Sequence, residues 1–326
     1  MATDATLHGT GEFGLIDRIT RGLAHDPRVL VGPGDDCAVL AVAGSSVLVT
    51  CDVLVEGRHF RRDWSSAIDI GRRAAAASLA DIASMGGTTT GLVVGFGAPA
   101  DTPAAWAVEC TAGIVEEASS VGASLVGGDV VESPVITISV TGLGEALGQA
   151  PVLRSGARVG DVIAVSGRLG WAAAGLALLS RGFRSPRALV DAHRFPVPPY
   201  ASGPWAAAAG ATSMIDVSDG LIADAAHIAR ASDVVMSIDT TGWEVPEELQ
   251  SAASAFHVDP REWMLTGGED HALLATFPAG VTLGGGFRTI GTVLERAEGD
   301  DTHRSGVVVD GVERSGDEGY RHFSQG

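Results

Sequence analysis

Short apolar runs of β character alternate with Ala-rich helical stretches along most of this chain, and glycines and aspartates punctuate the alternation. That order restricts the fold more than any other feature. Each strand face and helix stripe needs an apolar partner, so sheet and helices must pack in layers. Strands are expected over residues 38–42, 47–54, 91–97, 124–126 and 135–144. Helices are expected over 11–26, where Phe13, Ile16, Ile19 and Leu23 recur at spacings of three and four, and over 67–85 and 103–121. The second half repeats the style, with strands at 162–165, 214–217 and 234–238, helices at 171–179 and 221–231, and a Pro-rich connection at 193–204. The fold class is α/β with mixed layers of helix and sheet. Polar residues, glycines and Pro151 over 145–152 mark a boundary between an N-terminal domain, 1–145, and a C-terminal domain, 146–326. The runs VVGFGAP and VITISVTGLG read as strands buried on both faces.

Charge removes several function classes. The net charge is -18, and such a surface repels polyanions, which excludes nucleic acid as a partner. The chain contains no lysine, so neither a P-loop lysine nor a Schiff-base lysine can exist. Its three cysteines, Cys37, Cys51 and Cys110, are odd in number and widely spaced, against a disulfide framework or a zinc cluster. The first residues lack a signal pattern, and no apolar run reaches the ~20 residues that a membrane span needs. The expectation is a cytoplasmic protein without a membrane partner.

The informative residues are aspartates in Gly-rich or strand-end segments: GDD at 34–36, VTCD at 49–52, SLAD at 78–81, GGD at 127–129, IDVSDG at 215–220 and GGED at 267–270. Taken singly, each reads as a turn or a helix cap, and Asp219 before a helix could be such a cap. Asp81 differs, because late in a helix a carboxylate meets the unfavourable end of the dipole and needs another partner. Six such segments need a common cause. Mg²⁺ takes oxygen ligands, commonly one or two carboxylates completed by water and substrate phosphates, and converging carboxylates without a cation would repel. The set points to nucleotide phosphates held through metal ions rather than by a P-loop.

The segments GEFGLIDRI, VGPGDDCAVL, TCDVLVEGRHF, SLADIASMGG, VGGDVV, RSGARVGDVIAVSGRLG, IDVSDGL and LTGGEDHALL resemble, in order and spacing, the thiamine-monophosphate kinase family. That family sits in a superfamily with aminoimidazole ribonucleotide synthetase, selenophosphate synthetase and the hydrogenase-maturation carbamoyl dehydratase. The resemblance implies two α/β domains, a homodimer in which the N-terminal domains contribute strands to an intersubunit β-barrel, and ATP near that interface. It implies Mg²⁺ ligands at Asp36, Asp52, Asp81, Asp129, Asp216 and Asp219, supported by the side chain or backbone of Thr50 and Cys51. It assigns ATP contacts to Gly128, Asp129, Arg154 and Ser218, and thiamine monophosphate contacts to His59, Glu269 and Tyr320. The chain departs from the family pattern at Ser78 and Ala80, at His271 and Ala272, and at Tyr320, which stands where a Trp is usual.

The implied reaction moves the ATP γ-phosphoryl group onto the phosphate of thiamine monophosphate. Its nucleophile is already anionic, so no catalytic base is expected, and positioning with charge relief suffices. His59 reads equally well as a structural histidine. The alternatives are another enzyme of the superfamily with a different acceptor, or a non-catalytic nucleotide-binding regulator. Selenophosphate synthesis wants a reactive Cys or selenocysteine in a Gly-rich N-terminal segment, and the dehydratase wants a C-terminal Cys. The chain has neither.

Overall fold

The computed structural model describes residues 16, 20, 27–43, 45–296, 306–315, 318 and 319. The helix expected over 11–26 falls largely outside the described residues, and Tyr320 falls wholly outside them. The remainder forms a mixed α/β structure with two sheets. The first contains β1 (Val29–Val31), β2 (Ala38–Val42), β3 (Ser45–Val55), β4 (Thr88–Ala98), β5 (Ser124–Glu132) and β6 (Thr137–Glu145), in the order β1-β2-β3-β6-β4-β5. Its pairings are antiparallel except β4 with β5. Among the described residues it is open, with β1 and β5 at its edges.

Helices α1 (Ala67–Ser84) and α2 (Ala104–Ser120) cover one face of this sheet. The faces follow from strand alternation. On β6, Ile138, Val140, Gly142 and Gly144 are buried towards the helices, while Thr137, Ser139, Thr141 and Leu143 are only half-buried. Register places Cys51 and Val53 of β3, Val93 of β4 and Asp129 and Val131 of β5 on that second face. Val53, Val93 and Val131 are 47%, 37% and 55% exposed. The expectation of burial on both faces is therefore not met within one chain.

A Ser66–Asp69 capping box starts α1, with the Ser66 hydroxyl accepting from Asp69 N–H and the Asp69 carboxylate from Ser66 N–H. The helix is buried almost all round, which its run of alanines permits because small side chains let neighbours approach from every side. Gly144 serves the same approach: a Cβ there would lie 2.6 Å from Ile82 Cγ2 and 2.9 Å from Thr88 O.

The second sheet contains β7 (Val162–Ser166), β8 (Ser213–Val217), β9 (Val234–Ile238), β10 (Ala272–Phe277), β11 (Arg288–Glu295), β12 (Val307–Val309) and β13 (Val312–Glu313), in the order β13-β12-β9-β11-β7-β10-β8. The helices of this half are α3 (Trp171–Ser180), α4 (Arg187–Arg194), α5 (Ser202–Ala208), α6 (Leu221–Ser232), α7 (Glu247–Phe256) and α8 (Pro260–Thr266). One face packs Ile163, Ile215 and Met236 against Leu178, Ile222 and Leu249. The other packs Met214, Leu273 and Phe277 against Ala206 of α5 and Ala83 of α1. The C-terminal end of α1 thus touches both sheets, through Ile82 on one side and Ala83 on the other.

Several expected boundaries shift. The strand expected at 124–126 runs on to Glu132, so the GGD segment lies within β5 rather than in a loop. VTCD lies inside β3 and SLAD inside α1. The Pro-rich connection is shorter than expected, since His193 ends within α4 and Pro204 lies in α5. Among the described residues no helix is long and apolar enough to cross a membrane.

Candidate active site

Ser78, Asp81 and Ser84 recur every third residue on α1 and share one face. Thr50 and Asp52 lie two apart on β3 and share the face that meets it. Ser78 donates to Asp52 Oδ2 at 2.6 Å, and Thr50 donates to Asp81 Oδ2 at 2.5 Å. Thr50 is the further partner that the placement of Asp81 demanded, and no basic residue occupies the last turn of α1. Ser84 hydrogen-bonds the Asp36 carboxylate.

Asp36, in the loop before β2, is the hub. Arg154 Nε donates to its Oδ1 at 2.7 Å, and the Arg154 backbone N–H donates to Asp35 Oδ2 at 3.0 Å. The Asp216 N–H on β8 reaches Asp36 Oδ2 at 3.3 Å. Asp216 Oδ2 in turn lies 2.8 Å from His271 Nδ1. Four carboxylates, Asp36, Asp52, Asp81 and Asp216, therefore collect from a loop, a strand, a helix and the second sheet.

Their protonation reports the crowding. Burial, opposed by Arg154 and reinforced by the charge of Asp216, lifts Asp36 to about 7. Burial followed by repulsion from Asp52, Asp216 and Asp36 holds Asp81 well above the carboxylate range. Burial raises Asp52 against its bond from Ser78. No three His, Cys, Asp or Glu side chains among the described residues are arranged around a single point as a closed metal centre. The donor set nevertheless fits a hard cation: all-oxygen ligands whose mutual repulsion a divalent ion would relieve.

Asp219 does not cap α6. Its N-cap is Gly220, without a side-chain cap bond, and Asp224 from inside the helix accepts from the Asp219 and Gly220 N–H groups at 3.1 and 3.0 Å. Ser218, in the same turn, accepts from Glu269 N–H through its carbonyl at 2.8 Å. Cys51 is exposed on the open face, 3.3 Å from Ser139 Oγ, so its thiol cannot join Asp52 on the covered face. Asp129 is also on the open face, its carboxylate accepting from Val130 N–H at 2.9 Å. The structure does not bring it to the other aspartates. Gly128 precedes it, and a Cβ there would lie 2.2 Å from Val94 O.

Beside the cluster is a cavity of about 480 Å³, whose lining includes His59, Phe60, Trp64, Arg73, His193 and Glu269. Val55 N–H donates to His59 Nδ1 at 2.9 Å, which leaves the proton of the neutral ring on Nε2. His59 is thus both held by the backbone and part of the cavity wall. Arg73 is 4% exposed and places Nη2 2.8 Å from Glu269 Oε2, while its Nη1 donates to His193 O at 2.8 Å. Burial would raise the Glu269 carboxyl, but Arg73, with His271, His193 and His59 adding to it, outweighs burial and brings Glu269 down to about 2. Burial, with Arg73 adding to it, pushes His193 down to about 3, so its imidazole is neutral.

Sequence reasoning missed Ser84, Arg73 and Asp224. The three-residue recurrence of Ser78, Asp81 and Ser84 on a predicted helix was the available signal for the first. Arg73 and Asp224 gave none, because their partners are 196 positions away and inside a turn respectively.

The family model described as AIR synthase related protein, N-terminal domain, matches residues 34–146. The thiamine-monophosphate kinase of Mycobacterium tuberculosis is 46% identical over 327 aligned residues, covering 100% of this chain and 96% of that protein. That of Corynebacterium glutamicum is 38% identical, covering 98% of this chain and 95% of that protein. The solved structure of AaThiL complexed with AMPPCP and TMP superposes with a TM-score of 0.87 at 32% identity, covering 99% of this chain and 100% of that one. With relatives of this identity matched over nearly their whole length and its own, the chain belongs to the thiamine-monophosphate kinase family.

Proposed function

We propose that this chain transfers the γ-phosphoryl group of ATP to thiamine monophosphate, giving thiamine diphosphate, in a magnesium-dependent reaction. The observation that carries the reading is the convergence of Asp36, Asp52, Asp81 and Asp216 beside a cavity that holds an ionised Glu269. Those four, with Asp219, would hold magnesium; Thr50 orients Asp81, and Cys51 would contribute through its main chain. Magnesium held there supplies counter-charge to phosphate oxygens. Arg154, Ser218 and Gly128 are assigned to ATP, with Arg154 kept in place by Asp35 and Asp36. His59, Glu269 and Tyr320 are assigned to the acceptor, where Glu269 offers a negative partner to a cationic ring. The acceptor oxygen is itself an anion, so no side chain need take a proton, and the neutral His193 is not required as a base.

The chain is read as two domains, 1–145 and 146–326, in keeping with the end of β6 at Glu145 and the start of β7 at Val162. The exposed valines on the open face of the first sheet support a homodimer, in which strands of two such sheets would complete a barrel between subunits. Asp129, which the single chain keeps away from the cluster, would then serve the site of a second copy. Use of ATP suits the cytoplasm, and neither nucleic acid nor membrane is a partner. The test is to offer thiamine monophosphate and free thiamine separately with ATP and magnesium and to resolve the products by chromatography. Thiamine diphosphate should form from the monophosphate alone. Equal turnover of free thiamine, or no product from either, would overturn the reading.

A further inference from the structure

Three consecutive side chains in the loop before β10 reach three different elements. Glu269 meets Arg73 of α1 at 2.8 Å, Asp270 Oδ1 accepts from Ala172 N–H at the start of α3 at 2.9 Å, and His271 Nδ1 meets Asp216 Oδ2 of β8 at 2.8 Å. The backbone is strained at two of the three. Glu269 has φ +69° and His271 φ +49°, a left-handed conformation that costs a residue bearing a Cβ. The strained pair is the pair whose side chains enter the acceptor cavity and the carboxylate cluster.

We propose that His271 is a positioning residue for Asp216, fixing which carboxylate oxygen is turned to a divalent cation; the proposal rests on the magnesium reading above. With Asp216 as the acceptor, Nδ1 is the donor of this bond. The bond occupies Oδ2 and leaves Oδ1 for the cation. The Asp216 main chain is already held through its N–H to Asp36 and by pairing of β8 with β10. What remains to be fixed is the side-chain torsion, and the imidazole fixes it. Asp216 is 3% exposed and His271 5% exposed, so in the folded protein this bond is made away from bulk solvent.

The test is titration with Mn²⁺ as a magnesium probe, in the presence of a non-hydrolysable ATP analogue, reading free Mn²⁺ by electron paramagnetic resonance. It uses the full chain and needs no turnover. His271→Gly suits the positive φ while removing the ring. His271→Asn also tolerates that φ and puts an amide nitrogen near the position of Nδ1, whereas His271→Gln puts it near Nε2. Loss of such an outer partner typically weakens metal affinity 10–100-fold, so His271→Gly should bind Mn²⁺ at least about tenfold more weakly. His271→Asn should recover most of the loss and His271→Gln should not. Parent-like affinity in His271→Gly, or equal recovery by Asn and Gln, would overturn the proposal. Asp216→Asn separates the two levels: if it holds Mn²⁺ as tightly as the parent, the assignment of Asp216 to the metal falls, whatever His271 does.

Discussion

Asp52 and Asp129 cannot ligate one Mg²⁺ from within one chain. They lie on β3 and β5, and the order β3-β6-β4-β5 puts three strand spacings between them. At about 4.8 Å per spacing the separation is roughly 14 Å. They also occupy opposite faces of the sheet. Two carboxylate oxygens on one Mg²⁺ lie within about 4 Å of each other, since each is about 2.1 Å from the ion. A magnesium ion that uses both must draw them from two subunits. Asp52→Asn and Asp129→Asn should therefore each abolish turnover alone and complement when mixed. After random subunit exchange about half of the dimers are mixed, and each of these has one site with both native carboxylates, so the mixture should regain about a quarter of parent activity. Thiamine diphosphate formation is assayed before and after exchange, with differently tagged copies confirming that mixed dimers form. A mixture that stays inactive although mixed dimers are present would refute the reasoning, because both aspartates would then have to act in the same chain.

Arg73→Met should destabilise the protein by about 2 kcal/mol at pH 7: about 1 as the Arg73 share of the depression of Glu269 from 4.5 to about 2, which His271, His193 and His59 also bring about and which is discounted because the Glu269 side chain is 34% exposed, plus about 1 for the bond to His193 O. Glu269 is lower in the folded state, so its contribution is present above pH 4.5 and declines as pH falls towards about 2; urea unfolding should show the gap to the parent narrowing below pH 4.5, and a widening gap would contradict the ion pair. Asp81→Asn should leave the ligand-free protein at least as heat-stable as the parent at pH 8, since burial and neighbouring charges disfavour the ionised carboxyl, yet should remove the thermal shift given by ATP with magnesium; calorimetry with and without both ligands checks it. Gly144→Val should cost roughly 1–3 kcal/mol by overpacking, with Ile82→Ala in the same chain recovering part of it, because the first obstacle a Cβ meets is Ile82 Cγ2 at 2.6 Å.

Local pattern made the layered class, both central helices of the first sheet's covered face, and the acidic segments readable in the sequence. It could not show that GGD is sheet rather than loop, because two glycines end the apolar run at Val126 and the pairing that continues it comes from β4. Nor could it show that Asp219 is relieved of capping, since the substitute, Asp224, sits inside the helix it serves. The pairing of Arg73 with Glu269 and of Asp216 with His271 arises only when α1 and the second sheet are packed together. Burial of a charge is a property of that packing and leaves no periodic trace.

Because α1 carries both Arg73 and Asp81, it acts as a gauge block. Eight positions at about 1.5 Å each set about 12 Å along the axis between the grip on Glu269 and the carboxylates. A distance set by helical rise has almost no tolerance, and one inserted residue would turn everything beyond it by about 100° and swing Asp81 and Ser84 off the cluster together. Acceptors of a different length would therefore have to be accommodated by the loops around His59 and Glu269, which can change length while the calibrated part stays as it is.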